Sequence, residues 1–437
     1  MSGQETVGGA AMPSTIEQIS GLTGAWTELV SQERAVAILQ QAVAAAHRRD
    51  LVASSVADDA GREQSRPSHA MTHAWLITGP PGSGRSNAAK AFAAALQCDR
   101  GGCGKCNACR TTQAGAHPDV TLVRTEELSI GVDEVRDLVV RAAQYPMQGA
   151  FQVLVIEDAD RITDRGADAL LKSLEEPARD TVWILCAPTP DDVLVTIRSR
   201  CRQVNLQTPR AADVAQLLVT RDGVDPIMAG HAARAAQGHI GRARRLATDE
   251  QARNARHGWL QVPAQLNGVG SCLLAAERLV NEAGELAERQ SAELNEREHA
   301  ELAQALAVTG KDGKASRAKP RAAQTALKQL EDSQKARAKR LQRDALDRLL
   351  TELTTWYRDI LAVQVGAVDP DDLHDAASGA GLINSEMRDQ VAAAARRSTP
   401  DQTVRRIDAL LGAREALESN VAPLLAMEAL LLQLAEQ

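Results

Sequence analysis

The sequence predicts an α/β domain built on a parallel sheet, followed by an all-helical C-terminal domain. Three observations predict this fold class. Short, continuous apolar runs, typical of buried parallel strands, occur in the first half of the chain. One of these runs leads into a glycine-rich loop and then a helix. From residue 251 onward the apolar residues follow helical spacing.

The glycine-rich loop lies in the stretch Ala74-Trp-Leu-Ile-Thr-Gly-Pro-Pro-Gly-Ser-Gly-Arg-Ser86. Its apolar beginning predicts the end of a buried strand, and the alanine-rich run from Asn87 predicts a helix. In a P-loop, backbone N–H groups and a helix N-terminus face phosphates, and a hydroxyl reaches Mg²⁺. Arg85 stands where that pattern requires lysine, and a glycine-rich turn without a ligand is the alternative. The positions that match are Gly79, Gly82, Gly84 and Ser86.

Four of the seven cysteines are grouped after this helix, separated by four, two and two residues. This spacing lets four thiolates surround one tetrahedral ion and leaves no open coordination position. We therefore expect a structural Zn²⁺ in a module over residues 98–109. Four free thiols or a redox pair are the alternatives. The predicted ligands are Cys98, Cys103, Cys106 and Cys109.

An acidic pair, Glu157-Asp158, follows the apolar run 151–156. The carboxyl end of a parallel strand is where an α/β sheet presents carboxylates to a ligand. In P-loop proteins the first acid holds Mg²⁺ and the second polarises the attacking water. Here the usual order of Asp before Glu is reversed, and a charged helix cap is the alternative.

Changes in composition along the chain predict the domain boundaries. Residues 1–25 are rich in Gly, Ser and Thr and predict a disordered tail. Residues 26–206 form the nucleotide-binding-like domain, in which residues 52–72 are a polar surface loop. A small helical lid over 207–250 and a helical domain over 251–437 follow.

A charged arm, at about residues 285–345, lies within the helical domain. Between residues 311 and 343, eleven Lys/Arg and three Asp/Glu give a local balance of +8. We favour a solvated helical arm, because aromatic residues for stacking on bases make up only 2% of the chain. The alternative is contact with DNA phosphates. That contact would use Lys335, Arg337, Lys339 and Arg340.

Net charge and hydropathy exclude two classes of protein. A net charge of −7 over 437 residues is not that of a generally basic nucleic-acid-binding protein. No apolar run approaches the roughly 20 residues of a membrane-spanning helix. The N-terminus also lacks the basic start and apolar core of a signal peptide. We therefore expect a cytoplasmic protein without membrane contact.

Several of these motifs occur in the order and spacing found in bacterial clamp-loader subunits. The stretch Leu170-Leu-Lys-Ser-Leu-Glu-Glu-Pro177, the triplet Ser199-Arg200-Cys201, the four-cysteine insert and the acidic pair resemble this family over about residues 26–247. The stretch from Asn420 to Leu432 resembles the end of its collar domain.

The resemblance implies an AAA+ P-loop domain with an inserted zinc module, a helical lid and a helical collar domain. It also implies a component of the DNA polymerase III holoenzyme, the DNA-directed DNA polymerase complex. Its partners would be gamma/tau motor subunits and the delta subunit, with the sliding clamp and primer-template DNA reached through the complex.

Positions that would serve this chain's own nucleotide depart from the family's pattern. The planar guanidinium of Arg85 is bulkier than a lysine ammonium, and the exchanged acidic pair displaces both carboxylates by about a methylene. Pro188, which has neither a hydroxyl nor an N–H, stands where the family has a sensor threonine. Gly241 stands where the motor subunits have a sensor arginine, and Arg242 is one place further on.

Arg200, by contrast, matches the family arginine that reaches into the ATP site of the adjacent subunit. A salt bridge at the rim of the sheet is the alternative role. The leading hypothesis is a delta-prime-like structural subunit that donates Arg200 and has weak or no ATP hydrolysis of its own. It leaves open whether ATP and Mg²⁺ bind. An active gamma/tau-like ATPase is the main alternative, and a stand-alone zinc-dependent DNA-binding protein is the third.

Overall fold

The computed structural model describes residues 22–55, 70–124, 129–308, 320–369, 381–419 and 421–436. These residues form two compact units, the first ending at Thr248 and the second running from Asp249.

The first unit is built on a five-stranded sheet in which every pairing is parallel. The strands are β1 Ala74–Thr78, β2 Val120–Val123, β3 Gln152–Ile156, β4 Thr181–Ala187 and β5 Arg202–Asn205. Their order is β2-β3-β4-β1-β5. Strands β1, β3 and β4 are buried along their whole length, as their continuous apolar runs predict. Because β4 lies between β1 and β3, the segments that leave these strands meet at one edge of the sheet.

Nine α-helices of the first unit surround or follow this sheet within the described residues. The helices packed around the sheet are α1 Glu33–Ser55, α2 Arg85–Leu96, α3 Asn107–Gln113, α4 Val132–Ala142, α5 Asp164–Glu175 and α6 Val195–Arg198. The predicted lid contains α7 Ala211–Asp222, α8 Pro226–Ala236 and α9 Ile240–Thr248. Helix α2 begins two residues before the predicted start, directly after Gly84, whose φ of 94° lies in the left-handed region.

The last residues of the predicted disordered tail are packed. Leu22 and Ala25 are buried, and the N–H of Ala25 donates to the carbonyl of Gly102 at 2.9 Å. A Cβ on Gly24 would lie 2.2 Å from the same carbonyl oxygen, so only glycine permits this close approach. The prediction was wrong here because the segment contacts the cysteine module. Residues 1–21 lie outside the described residues.

The predicted surface loop, residues 52–72, lies mostly outside the described residues. Its first four residues continue helix α1, and Met71 near its end is buried. The polar composition of the segment therefore did not give the point at which the helix ends.

Among the described residues of the second unit, all regular secondary structure is helical. The helices are α10 Glu250–Gln265, α11 Val269–Val308, α12 Pro320–Gln364, α13 Arg388–Arg397, α14 Pro400–Glu418 and α15 Pro423–Glu436. Helices α11 and α12 pack along each other and include most of the predicted charged arm, whereas residues 309–319 lie outside the described residues. Among the described residues, none of the helices combines the length and the apolar composition that crossing a bilayer requires.

Buried charges join the elements of the second unit. The fully buried carboxylate of Asp359 accepts the N–H groups of Ile383 and Asn384 at 3.1 and 2.7 Å. Buried Arg256 donates to the buried carboxylate of Glu352 at 2.9 Å. Because each charge has a charged or hydrogen-bonding partner, we interpret this network as structural.

Candidate functional site

The glycine-rich loop connects the end of β1 to α2. Within the loop, the N–H of Ser83 donates to the carbonyl of Pro80 at 3.0 Å. The N–H of Gly79 donates to the carbonyl of Pro188, which follows β4, at 3.1 Å. The strand, loop and helix that a P-loop requires are therefore present, but the first loop amide is already bonded to the chain.

Arg85 is also bonded within the loop. Its Nη1 donates to the carbonyl oxygen of Gly79, so the cation that replaces the P-loop lysine contacts the backbone of its own loop. Burial raises the pKa of the Cys186 thiol, on β4, to about 12. The charges of Glu157 and Asp158 add to this effect, and Arg85 opposes it. The loop arginine and the acidic pair are thus close enough to act on one thiol.

The start of lid helix α9 contacts the loop at Gly82. A Cβ on Gly82 would lie 2.3 Å from Cγ and 2.5 Å from Cα of His239, and Gly82 has a φ of 82°. The Nδ1 atom of His239 accepts the N–H of Arg242 at 3.2 Å. Gly241, at the expected sensor position, lies against the same imidazole. A Cβ on Gly241 would lie 3.5 Å from Cε1 of His239. The backbone of the lid therefore covers this part of the loop.

Gln32 connects the loop to the start of the lid, a role that the sequence analysis missed. Its Nε2 donates to the carbonyls of Gln207 and Ser83 at 2.7 and 3.4 Å, and its Oε1 accepts the N–H of Gln207 at 3.0 Å. The adjacent Ser31 has a φ of 58° and donates to Asp213 of α7 at 2.6 Å. The contacts with the lid join residues 175 and 182 positions apart, so no local pattern in the sequence signals them.

The acidic pair lies directly after β3. The carboxylate of Glu157, whose side chain is 10% exposed, lies 3.7 Å from Nζ of Lys90 and 3.9 Å from Nε of Arg124. Asp158 occupies the N-cap position of the 3-10 helix Ala159–Arg161, but its side chain makes no capping hydrogen bond. Only the position of Asp158 therefore supports the alternative that the acidic pair caps a helix.

The four predicted zinc ligands meet at one point. Their sulfur atoms all lie within 4.8 Å of one another, and the sulfurs of Cys98 and Cys106 are 3.7 Å apart. A tetrahedral zinc ion with Zn–S bonds of about 2.3 Å separates its sulfurs by about 3.8 Å. The four cysteines can therefore bind a metal such as zinc.

The surroundings of the cysteine cluster favour thiolates at some positions. Backbone N–H groups of Lys105 and Cys106 lower the pKa of Cys103 to about 6. Burial acts to raise the pKa of Cys98, but N–H donors, led by that of Cys103, outweigh it and lower the pKa. Burial raises the pKa of Cys109. Donation of N–H groups to sulfur is the usual outer environment of a thiolate-bound metal.

Arg200 lies two residues before β5 and remains partly exposed, at 34% of its side-chain surface. Its Nε donates to Oε1 of Glu175, the last residue of α5, at 2.8 Å, and its Nη2 contacts the same oxygen. Its Nη1 donates to the carbonyl of Thr196 at 2.7 Å and to Oγ of Ser199 at 3.2 Å. The ion pair considered from the sequence therefore exists, and the guanidinium still lies at the surface.

The four basic residues considered for DNA contact do not act alike. Lys335 and Lys339 of α12 are exposed. Arg337 is buried and donates to Asn295 of α11 at 2.9 Å and to Glu298 at 3.2 Å. The hydrogen bonds that Glu298 accepts from Arg337 and, to a smaller extent, from Gln334 lower the pKa of Glu298. Arg337 holds the two helices of the arm together, so its inclusion among exposed phosphate ligands was wrong.

Fold and site together define the class of the first unit. It is a parallel α/β domain with a glycine-rich loop after β1, an acidic pair after β3 and a four-cysteine module after α2, and an all-helical unit follows it in the chain. This confirms the predicted fold class.

Comparison with known proteins identifies the relatives of this domain. Residues 63–210 match the family model described as DNA polymerase III, delta subunit. The chain is 44% identical over 153 residues to the DNA polymerase III subunit delta-prime of Pseudomonas aeruginosa, covering 34% of this chain and 46% of that protein. It is 36% identical over 151 residues to the subunit gamma/tau of Mycobacterium tuberculosis, covering 33% of this chain and 25% of that protein. Over this domain the chain is thus similar in sequence to both delta-prime and gamma/tau subunits of DNA polymerase III.

The matches are limited in extent. The chain spans about half the length of the delta-prime relatives that it matches. A solved structure of a gamma subunit-related protein from Thermotoga maritima is 17% identical and covers 78% of this chain and 93% of its own, with a TM-score of 0.30. The relationship therefore rests on the sequence matches over the first unit.

Proposed function

We propose that this chain is a delta-prime-like structural subunit of the sliding-clamp loader of DNA polymerase III. In this proposal it supplies Arg200 in trans to the ATP site of a neighbouring gamma/tau-type subunit and has weak or no ATP hydrolysis itself. The delta subunit completes the ring, which acts on the sliding clamp and primer-template DNA. The similarity to delta-prime subunits supports the place of the chain in this complex.

The observation that carries the proposal is the contact between Arg85 and the carbonyl of Gly79. A phosphate-binding cation must point into the loop cavity, whereas this guanidinium is bonded to the loop itself. Pro188 offers a carbonyl to Gly79 in place of a hydroxyl to a phosphate. His239 lies against Gly82. Each contact opposes a productive arrangement of ATP in this chain.

The proposed role of Arg200 follows from its exposure and its position. A cation aimed at a neighbouring active site has to lie at the surface, and a finger supplied in trans contributes about 10³ to 10⁵ in rate. Arg198, two residues earlier, is instead bonded to the carbonyl of Pro190 at 3.1 Å and to Asp191. Arg198 is therefore a matched control for Arg200.

The test uses a ring reconstituted from this chain, its motor subunits and the delta subunit, with clamp and primer-template DNA present. Arg200→Ala is expected to slow ATP hydrolysis at the neighbouring site by about 10³-fold or more. The total hydrolysis rate of the ring then falls by the contribution of that site. Arg198→Ala is expected to leave turnover unchanged. Unaltered turnover with Arg200→Ala in an assembled ring would contradict the proposal.

An active gamma/tau-like ATPase is the second candidate function. The 36% identity to gamma/tau and Ser86 in the first turn of α2 favour it. The isolated chain distinguishes the two candidates. Steady ATP hydrolysis that Ser86→Ala abolishes would establish the ATPase and contradict a structural role.

A stand-alone DNA-binding protein is the third candidate, favoured by exposed Lys335 and Lys339. Binding to duplex DNA that weakens with salt and is lost on changing both lysines to glutamine would support it. Absence of binding at low salt would remove it.

We further propose that the four cysteines hold one structural Zn²⁺. The 3.7 Å separation of two of the sulfurs supports this, as does the packing of Ala25 on the module. Metal analysis of protein purified without chelators is expected to find about one zinc per chain. Cys106→Ser is expected to lower that content and the melting temperature together, and full zinc loss without a change in melting temperature would contradict a structural role.

A further inference from the structure

We infer that Glu175 is a positioning residue for Arg200, which fixes the guanidinium in one orientation before the neighbouring subunit docks. The inference rests on the function proposed above, in which Arg200 acts in trans. Glu175 ends helix α5, and its Oε1 accepts hydrogen bonds from both Nε, at 2.8 Å, and Nη2 of Arg200. Because two nitrogens converge on one charged oxygen, the contact restrains the direction of the guanidinium as well as its distance.

The hydrogen bonds of Arg200 leave a defined part of the guanidinium for another molecule. A guanidinium has five N–H donors in a fixed fork. The Nη1 hydrogens are directed to the carbonyl of Thr196 at 2.7 Å and to Oγ of Ser199 at 3.2 Å, while Nε and Nη2 contact Glu175. One Nη2 hydrogen has no partner among the described residues. That hydrogen and the delocalised charge are what Arg200 presents to a phosphoryl oxygen.

The exposure of the pair argues that its role is not to stabilise the fold. The side chains of Arg200 and Glu175 are 34% and 49% exposed, and exposed ion pairs contribute little to folding. Without Glu175 only the Nη1 hydrogen bonds to Thr196 and Ser199 restrain Arg200, and its long side chain regains part of its rotamer freedom. Ordering it again on docking lowers the fraction of productive complexes by roughly two- to twelvefold.

A competing role for Glu175 predicts the opposite sign. If the carboxylate sequestered Arg200 from its neighbour, removing it would speed hydrolysis. The direction in which the rate of ATP hydrolysis changes therefore distinguishes the two roles.

The experiment measures ATP hydrolysis by the reconstituted ring carrying Glu175→Ala, Glu175→Gln or the control Glu176→Ala. Glu176 is the adjacent exposed carboxylate and lies outside the ion pair with Arg200. We expect Glu175→Ala to lower kcat at the neighbouring site about two- to twelvefold with the KM for ATP unchanged, because the finger acts on the transition state. Glu175→Gln keeps an oxygen acceptor and is expected to restore most of the rate, and Glu176→Ala to match the unaltered chain.

Ring assembly and melting temperature are measured for each variant, and Glu175→Ala is expected to leave both unchanged. A rate equal to or above that of the unaltered ring with Glu175→Ala would overturn the inference, as would an equal loss with Glu176→Ala. Arg200→Ala, measured in parallel, distinguishes failure of this inference from failure of the proposed function. If it slows hydrolysis and Glu175→Ala does not, only the inference fails; if Arg200→Ala has no effect, the proposed function fails with it.

Discussion

Two arginines of the first unit, Arg85 and Arg200, lie at opposite edges of the sheet. Arg85 follows β1 at the carboxyl edge and donates to the backbone of its own loop. Arg200 precedes β5 at the amino edge and is held by an exposed carboxylate. The difference indicates how the two regions respond to mutation. Changes near Arg85 are expected to alter stability, and changes near Arg200 are expected to alter a partner's rate.

The largest expected effect on stability is at Gly82, where loop and lid meet. In Gly82→Ala, the new methyl group would lie 2.3 Å from Cγ of His239, at a φ of 82°. Steric overlap and left-handed strain together predict a loss of about 2–5 kcal/mol. The loss is measured by chemical denaturation monitored through hydrogen exchange of the β1 and β4 amides. These amides report the stability of the first unit alone.

Gly84→Ala is the matched control for that prediction. Gly84 has a φ of 94°, but the nearest atom to its Cβ position, in Leu29, is 3.7 Å away. Only the conformational cost applies, so we expect a loss of about 1–2 kcal/mol. Equal losses at the two glycines would mean that contact with the lid does not constrain the loop.

A smaller effect is expected from removing the link between loop and lid. Gln32→Ala breaks hydrogen bonds to both backbone groups of Gln207 and to the carbonyl of Ser83. Because these groups are partly buried, we expect a loss of about 1–3 kcal/mol in the same denaturation experiment. Gln41→Ala, at an exposed position on helix α1, which begins directly after Gln32, is expected to stay within about 0.5 kcal/mol. A Gln32→Ala protein as stable as Gln41→Ala would contradict this role.

The contrast between these regions also explains how far sequence reasoning reached. The buried strands β1, β3 and β4 were predictable because strands covered on both faces are continuously apolar. The cysteine cluster was predictable because ligand spacing is local. Gln32, His239 and Glu175 were not identified, since each acts on residues distant in the chain. Glu175 lies inside a stretch singled out for its resemblance to a family, but nothing in that stretch indicated its contact with Arg200.

The docking of residues 22–25 was missed for a related reason. Small and polar residues predict a tail when judged by composition. Gly24 is needed where the chain passes within contact distance of Gly102. The same residue type indicates disorder in one setting and close packing in another, and only the tertiary contact distinguishes them.

The next prediction concerns whether one substitution can restore the nucleotide site. Arg85→Lys replaces the guanidinium by the ammonium that P-loops use. We expect ATP hydrolysis by the isolated chain to stay at background, because Pro188 still accepts from Gly79 and His239 still lies against Gly82. A coupled-enzyme assay of the purified chain checks this. Turnover that appears with Arg85→Lys and disappears on adding Ser86→Ala would mean that Arg85 alone keeps the site inactive.

The smallest expected effect compares the two arginines directly, through the same substitution at each. Arg200→Ala removes a pair that is exposed on both sides, so its unfolding free energy is expected to change by less than about 0.5 kcal/mol. Arg85→Ala removes the charged donor to the Gly79 carbonyl and is expected to cost about 1–2 kcal/mol. If denaturation gave Arg200→Ala the larger loss, its guanidinium would be part of the fold, and a slower ring carrying that variant would no longer indicate a finger acting in trans.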